Sequence, residues 1–151
     1  MKERQKNLGT NLKVYLAGAC YNEPDEGREW RENATKLLKH AAEWVDSSCE
    51  IINPLTFFSY SEHKHKSHKQ VKNFYLNKIK KSDIVLVNLK NSCQSCGTCM
   101  EVQYAVDNNI PVIGFDAENA YPWIAEVDCE AVFDNLMETV DYIRDYYMKV
   151  Y

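Results

Sequence analysis

The chain has 151 residues, 45% of them hydrophobic, enough for one domain with a true core and too few for two ordinary ones. A net charge of −4 and a pI near 5.6 argue against a binder of nucleic-acid polymers that relies on bulk electrostatics. No apolar run of about 18 residues and no signal-type leader occur, so neither a membrane partner nor export is expected. The expectation is a cytoplasmic protein that handles a small molecule and keeps its six cysteines as thiols.

Residues 1–11 are polar and read as a loosely ordered lead-in to a single domain spanning 1–151. Leu12-Lys-Val-Tyr-Leu-Ala-Gly18 reads as a strand ending in small residues. Tyr15 and the Ala17-Gly18-Ala19 turn either line a pocket or let the next helix pack closely. The apolar positions Trp30, Ala34, Leu37, Leu38, Ala41, Trp44 and Val45 follow a helical period. Arg28 and Arg31, at the start of that helix, run against the dipole preference for acids there. Either both face solvent or one reaches into a site. Cys49-Glu-Ile-Ile-Asn-Pro54 is a second strand, stopped by proline. Asn53 at its end is placed to read a base or a sugar, or is ordinary turn punctuation. Residues 55–70 form a long irregular connection containing His63, His65 and His68 among lysines. That segment is a metal or phosphate loop, or a solvated one.

From Val71 to Lys81 the pattern is helical, with Val71, Phe74, Tyr75 and Ile79 facing the sheet. Ile84-Val-Leu-Val87 is apolar on both faces, the mark of a central parallel strand. A helix over 98–108, a strand over Ile110–Phe115, a short edge strand at Ala131–Phe133 and a final helix from Asn135 to Tyr151 complete the alternation. The fold class is therefore α/β, a doubly wound, flavodoxin-like parallel sheet flanked by helices.

Glu101 stands where a helix opens beyond the carboxyl end of a central strand. Ligands bind there in open sheets, and the free N–H groups of the helix are expected to keep its carboxylate ionised. It can attack an electrophilic carbon, orient a sugar hydroxyl, or simply cap its own helix. Cys93-x-x-Cys96-x-x-Cys99 is a second chemical pattern. It is either part of a zinc or iron–sulfur site lacking a fourth ligand at matching spacing, or a loop of small side chains.

Val14-Tyr-Leu-Ala-Gly18, Ile52-Asn-Pro54, Ser82-Asp-Ile-Val-Leu-Val-Asn88 and Gly97-Thr-x-Met-Glu101-Val-x-Tyr-Ala105, in this order and spacing, resemble the nucleoside 2-deoxyribosyltransferase superfamily, which includes the nucleoside 5′-monophosphate N-glycosidases. The resemblance implies that Glu101 attacks the anomeric carbon, releases the base and holds the sugar as an ester. A second base then gives transfer, and water gives hydrolysis. It implies that Tyr15 orients the nucleophile, and that Asn53, Asn88, Gly97 and Thr98 join Ala17 and Gly18 in contacting substrate. It implies a nucleoside or nucleotide partner, a homo-oligomer whose neighbouring subunit completes the site, and no metal or organic cofactor. The C-terminal tyrosines Tyr142, Tyr146, Tyr147 and Tyr151 supply such a contact, or belong to an ordinary packed helix. Two positions carry particular weight. Tyr75 stands at a catalytic position, where the family usually has an aspartate that handles the base or its leaving proton, and the replacement leaves a catalytically weakened nucleotide-binding protein as an alternative to the enzyme. Ser95, six residues before Glu101, matches the serine that contacts a 5′-phosphate in the monophosphate hydrolases and tilts the expected substrate toward a nucleotide.

Overall fold

Apolar spacing alternates between two and about 3.6 residues along the chain, and the elements alternate with it. The computed structural model describes residues 11–20, 23–57 and 67–149. In order they form β1 (Asn11–Gly18), α1 (Arg28–Trp44), β2 (Ser48–Ile52), a 3-10 turn (Pro54–Thr56), α2 (His68–Lys80), β3 (Ile84–Asn88), a second 3-10 turn (Ser92–Gln94), α3 (Cys96–Asp107), β4 (Val112–Phe115), β5 (Ala131–Phe133) and α4 (Leu136–Ile143). Two wider-wound helical segments, Trp123–Asp128 and Arg144–Met148, lie before β5 and after α4.

The five strands run in the order β2-β1-β3-β4-β5, and every neighbouring pair is parallel. This is the expected flavodoxin-like sheet, with β3 in the middle and the strand order reversing between β1 and β3. Side chains of β1 alternate between the two faces. Val14 and Leu16 join Ala34 and Leu38 of α1 and Val140 and Ile143 of α4 in one core. Tyr15 and Ala17 join Val85, Val87, Ile79 and Val102 in the other. That alternation aims Tyr15 beneath α3. Among the described residues, no helix is long and apolar enough to cross a membrane.

Several boundaries differ from the sequence expectation for local reasons. The second strand stops at Ile52 because Asn53 turns out to cap the following turn, its Oδ1 accepting from Leu55 N at 3.0 Å. Ile110 belongs to the exit of α3, donating to the Ala105 carbonyl at 2.9 Å, so β4 starts at Val112. The final helix does not run on as a regular one. Ile143 and Met148 are both fully buried and five residues apart, a spacing met by the wider winding of Arg144–Met148. The His63–Lys66 stretch and Tyr151 lie outside the described residues.

The connection from β1 to α1 is folded around Arg31, which is 1% exposed. Gly27 closes it with a left-handed φ of 76°, and a Cβ there would sit 2.3 Å from Arg31 Nη1 and 2.9 Å from the Ala19 carbonyl oxygen. Gly27→Ala combines a disfavoured backbone region with a clash, so it is expected to cost about 2 kcal/mol. A urea denaturation midpoint equal to wild type would contradict this.

Candidate active site

Three chain segments meet at the reversal of strand order: the turn after β1, the 3-10 turn after β2, and the loop leading from β3 into α3. Ser95 caps α3, its Oγ accepting from Thr98 N at 3.4 Å and sharing a 2.7 Å hydrogen bond with Thr98 Oγ1. α3 thus begins at Cys96, and Glu101 falls in its second turn. The helix does not open on Glu101, and the capping role belongs to Ser95.

Glu101 borders a cavity of about 300 Å³ together with Tyr15, Gly18, Arg31, Tyr75 and Ser95. The phenolic hydroxyl of Tyr15, itself fully buried, donates to Glu101 Oε2. Burial pushes the Glu101 carboxyl up to about 7, outweighing the Tyr15 hydrogen bond and the nearby Arg31 charge, both of which favour the anion. The expectation that the helix field holds Glu101 ionised is therefore corrected. That field fades within the first turn, whereas desolvation acts directly on a carboxyl group packed against a tyrosine. Burial, reinforced by the Glu101 charge, also keeps Tyr15 a neutral donor, its pKa well above that of a free phenol.

Arg31 settles the question left by the two arginines. Its Nη2 donates to the Gly18 carbonyl at 3.0 Å, its Nε to Leu16 at 3.4 Å, and its Nη1 to Glu26 and Gly27, each at 3.2 Å. The Cys20 thiol donates to the same Gly18 carbonyl at 3.5 Å. The guanidinium therefore holds the pocket wall in shape while placing a positive charge near the carboxylate. Arg28 is exposed, 4.0 Å from Glu26.

Tyr75 is buried and lines the cavity, with its hydroxyl donating to the Pro54 carbonyl at 2.9 Å. Gly97 and Thr98 border the same space. The remaining sequence candidates lie elsewhere. Ala17 is sealed in the core beside α3. Asn88 lines a neighbouring depression, with Oδ1 accepting from Lys90 N at 3.1 Å. Asn53 lies in a separate groove beside α1. Cys99 donates to the Ser92 carbonyl at 3.6 Å while Cys93 and Cys96 are exposed, and among the described residues no three His, Cys, Asp or Glu are grouped to hold a metal. Tyr142 and Tyr147 both donate to Glu130 Oε2, at 2.6 and 2.7 Å, within the same chain.

Cys20, Glu23, Asn91 and Gln94 also border the cavity and were not singled out from sequence. Their common signal is position, since all follow the carboxyl ends of β1 or β3, the two strands flanking the reversal.

A family model for nucleoside 2-deoxyribosyltransferases matches residues 14–137. The chain belongs to the nucleoside 2-deoxyribosyltransferase family. A 2-deoxyribosyltransferase structure from Bacillus psychrosaccharolyticus is 19% identical, covers 92% of this chain and 98% of its own, and superposes with a TM-score of 0.65. One from Leishmania mexicana is 17% identical, with coverages of 91% and 99% and a TM-score of 0.66. A conserved protein from Enterococcus faecalis V583, 12% identical, covers 89% of this chain and 98% of its own at a TM-score of 0.68. At these identities the solved structures show a shared fold. No curated protein matches the sequence significantly.

In this member of the 2-deoxyribosyltransferase family, the Tyr15 hydrogen bond is the contact most open to direct test. Tyr15→Phe keeps the ring and removes the donor, so it should raise the Glu101 pKa by about one unit or more, the equivalent of one hydrogen bond to a charged group. Carboxyl ¹³C NMR titration reads this, and an unmoved Glu101 midpoint would contradict it.

Proposed function

We propose that the protein breaks the N-glycosidic bond of nucleosides or nucleoside 5′-monophosphates through a covalent glycosyl ester on Glu101. The observation that carries this reading is the Glu101 carboxyl itself, bordering the cavity and fixed on one oxygen by the Tyr15 hydroxyl. In the first step the bond from C1′ to the base nitrogen breaks, its electron pair leaves with the base, which takes a proton from solvent, and a Glu101 oxygen bonds to C1′. In the second, an incoming base or water bonds to C1′ and releases its proton to solvent while the C1′–Glu101 bond breaks and Glu101 departs as carboxylate. Tyr15 holds the carboxylate in place, and Arg31 favours its anionic form. The family assignment supports enzyme chemistry on nucleosides.

A weakened, nucleotide-binding variant of the same site is the second reading. It is favoured by Tyr75, whose hydroxyl is directed to the Pro54 carbonyl and whose phenol is a poor acid for a departing base. The favoured reading includes a homo-oligomer, supported by the 72% exposed Tyr146, whose ring centroid lies 4.6 Å from that of Tyr142 with the rings tilted by 35°. It also includes a cytoplasmic location, supported by six free cysteines.

The nucleophile must be ionised, so base release should rise as pH increases through about 7. The native state binds more protons at Glu101 than the unfolded chain does, since the folded pKa is the higher one. The stability this group contributes is therefore full below the unfolded value of 4.5 and lost as pH rises through about 7. Glu101→Gln should accordingly abolish base release while unfolding at higher urea than wild type at pH 8, by about 1–3 kcal/mol. A variant that keeps wild-type turnover would refute the nucleophile's role.

A further inference from the structure

The cysteine run that the glycosyl chemistry leaves unused places a pair of thiols on one helical turn. Cys96 is the first residue of α3 and Cys99 lies one turn on, with Cys99 N donating to the Ser95 carbonyl at 3.2 Å. Residues at this spacing are neighbours on a helix face, their Cβ atoms about 5–6 Å apart, against about 3.5–4.5 Å across a disulfide. A first helical turn closes that gap by tightening toward 3-10 winding. Cys93 is placed differently. It belongs to the preceding 3-10 turn, and Ser95, at φ −123° and ψ 88°, takes the chain out of helical geometry between it and Cys96.

The two thiols differ in what can reach them. Cys96 is exposed at the rim of the cavity. Gly97 beside it leaves the approach open, since a Cβ there would meet nothing within 4 Å. Cys99 is half-buried, its Sγ donating to the Ser92 carbonyl at 3.6 Å, and burial together with the neighbouring Cys96 and Cys93 sulfurs pushes its thiol up. The pair thus has an outer sulfur open to a bulky reagent and an inner one shielded from it. The turn that carries them is fixed from both sides. Ser95 caps α3 through Thr98, which is 1% exposed, and the fully buried Ser92 accepts from Tyr121 N at 2.9 Å. Elsewhere in the chain, burial pushes the Cys49 and Cys129 thiols up to about 12, which makes them poor competitors for the same reagent.

We propose that Cys96 and Cys99 form a thiol–disulfide exchange site, Cys96 attacking low-molecular-weight disulfides and Cys99 resolving the mixed disulfide. A Cys-x-x-Cys pair that opens a helix after a parallel strand is suited to this chemistry, because one thiol is presented and its partner is held within a turn of it. In the first step Cys96 gives its proton to solvent, its sulfur bonds to one sulfur of the small disulfide, and the other sulfur leaves as a thiolate that takes up a proton. In the second, Cys99 gives up its proton, its sulfur bonds to that of Cys96, and the second small thiolate leaves and is protonated in turn. Two electrons pass from the cysteine pair to the small disulfide, which becomes two thiols. The site is independent of the glycosyl-transfer reading, which uses neither sulfur.

The test incubates the reduced full-length protein with oxidised glutathione at pH 8, quenches with acid, alkylates the remaining thiols and locates every bridge and adduct by mass spectrometry with peptide fragmentation. Wild type should form a Cys96–Cys99 disulfide and release two equivalents of reduced glutathione. Cys93→Ser should form the same bridge at a rate within about twofold of wild type, whereas Cys96→Ser should lose glutathione consumption by about tenfold or more. With Cys93 also replaced by serine, Cys99→Ser and, as a second variant that removes the polar group, Cys99→Ala should each stop at one glutathionyl group carried on Cys96. A wild-type bridge between Cys93 and either of the other two, loss of the bridge in Cys93→Ser, or trapping on a residue other than Cys96 overturns the assignment. So does a wild type that forms no bridge at any excess of oxidised glutathione.

Discussion

The site is organised by the cost of placing a carboxyl group in a poorly hydrated pocket and the two devices that limit that cost. Glu101 is raised to about 7 by burial, with the Tyr15 hydroxyl and the Arg31 charge acting against the rise. Without those two, burial would push the group further toward the neutral acid. With them, the anion that the proposed attack on carbon requires stays within reach near neutral pH. The sheet makes this possible because the pleat turns Tyr15 under α3 while Leu16 and Val14 go to the opposite core.

Arg31 links fold and chemistry. A guanidinium that is 1% exposed needs its donors satisfied, and the carbonyls of Leu16, Gly18, Glu26 and Gly27 satisfy them by wrapping the β1–α1 connection around it. Trp30 covers the cation with its ring, 4.7 Å from the guanidinium carbon. Trp30 also packs so close to Gly18 that a Cβ there would approach it to 2.9 Å. One side chain thus shapes the pocket wall, fixes the turn that carries Glu23, and supplies the positive field felt by Glu101.

The strands and their order were legible because the relevant signals are local. The run Ile84-Val-Leu-Val is apolar on both faces, and β3 lies at the centre of the sheet with all four residues fully buried. The sequence left Arg28 and Arg31 open between solvent and the site; Arg31 shares the buried face of Ala34, Leu38 and Ala41, and a charge on that stripe gives no hint of its partners. Three features were not legible. The start of α3 hides in a cysteine-rich loop where Ser95 pairs with Thr98 instead of a downstream acid. The wider winding that buries both Ile143 and Met148 has no counterpart in a 3.6-residue reading. The raised pKa of Glu101 comes from packing between distant segments, so a helix-end argument pointed the wrong way. Asn53 and Asn88 likewise resemble ligand contacts in sequence, but each serves its own loop.

The central claim is that Glu101 bonds covalently to the sugar. Acid quenching during turnover of a deoxynucleoside, followed by intact-mass and peptide mass spectrometry, tests it most directly. The account predicts a mass gain equal to the sugar residue, confined to the peptide carrying Glu101 and absent from Glu101→Gln. Turnover that proceeds with no such adduct under any quench time, or an adduct on another residue, would contradict it.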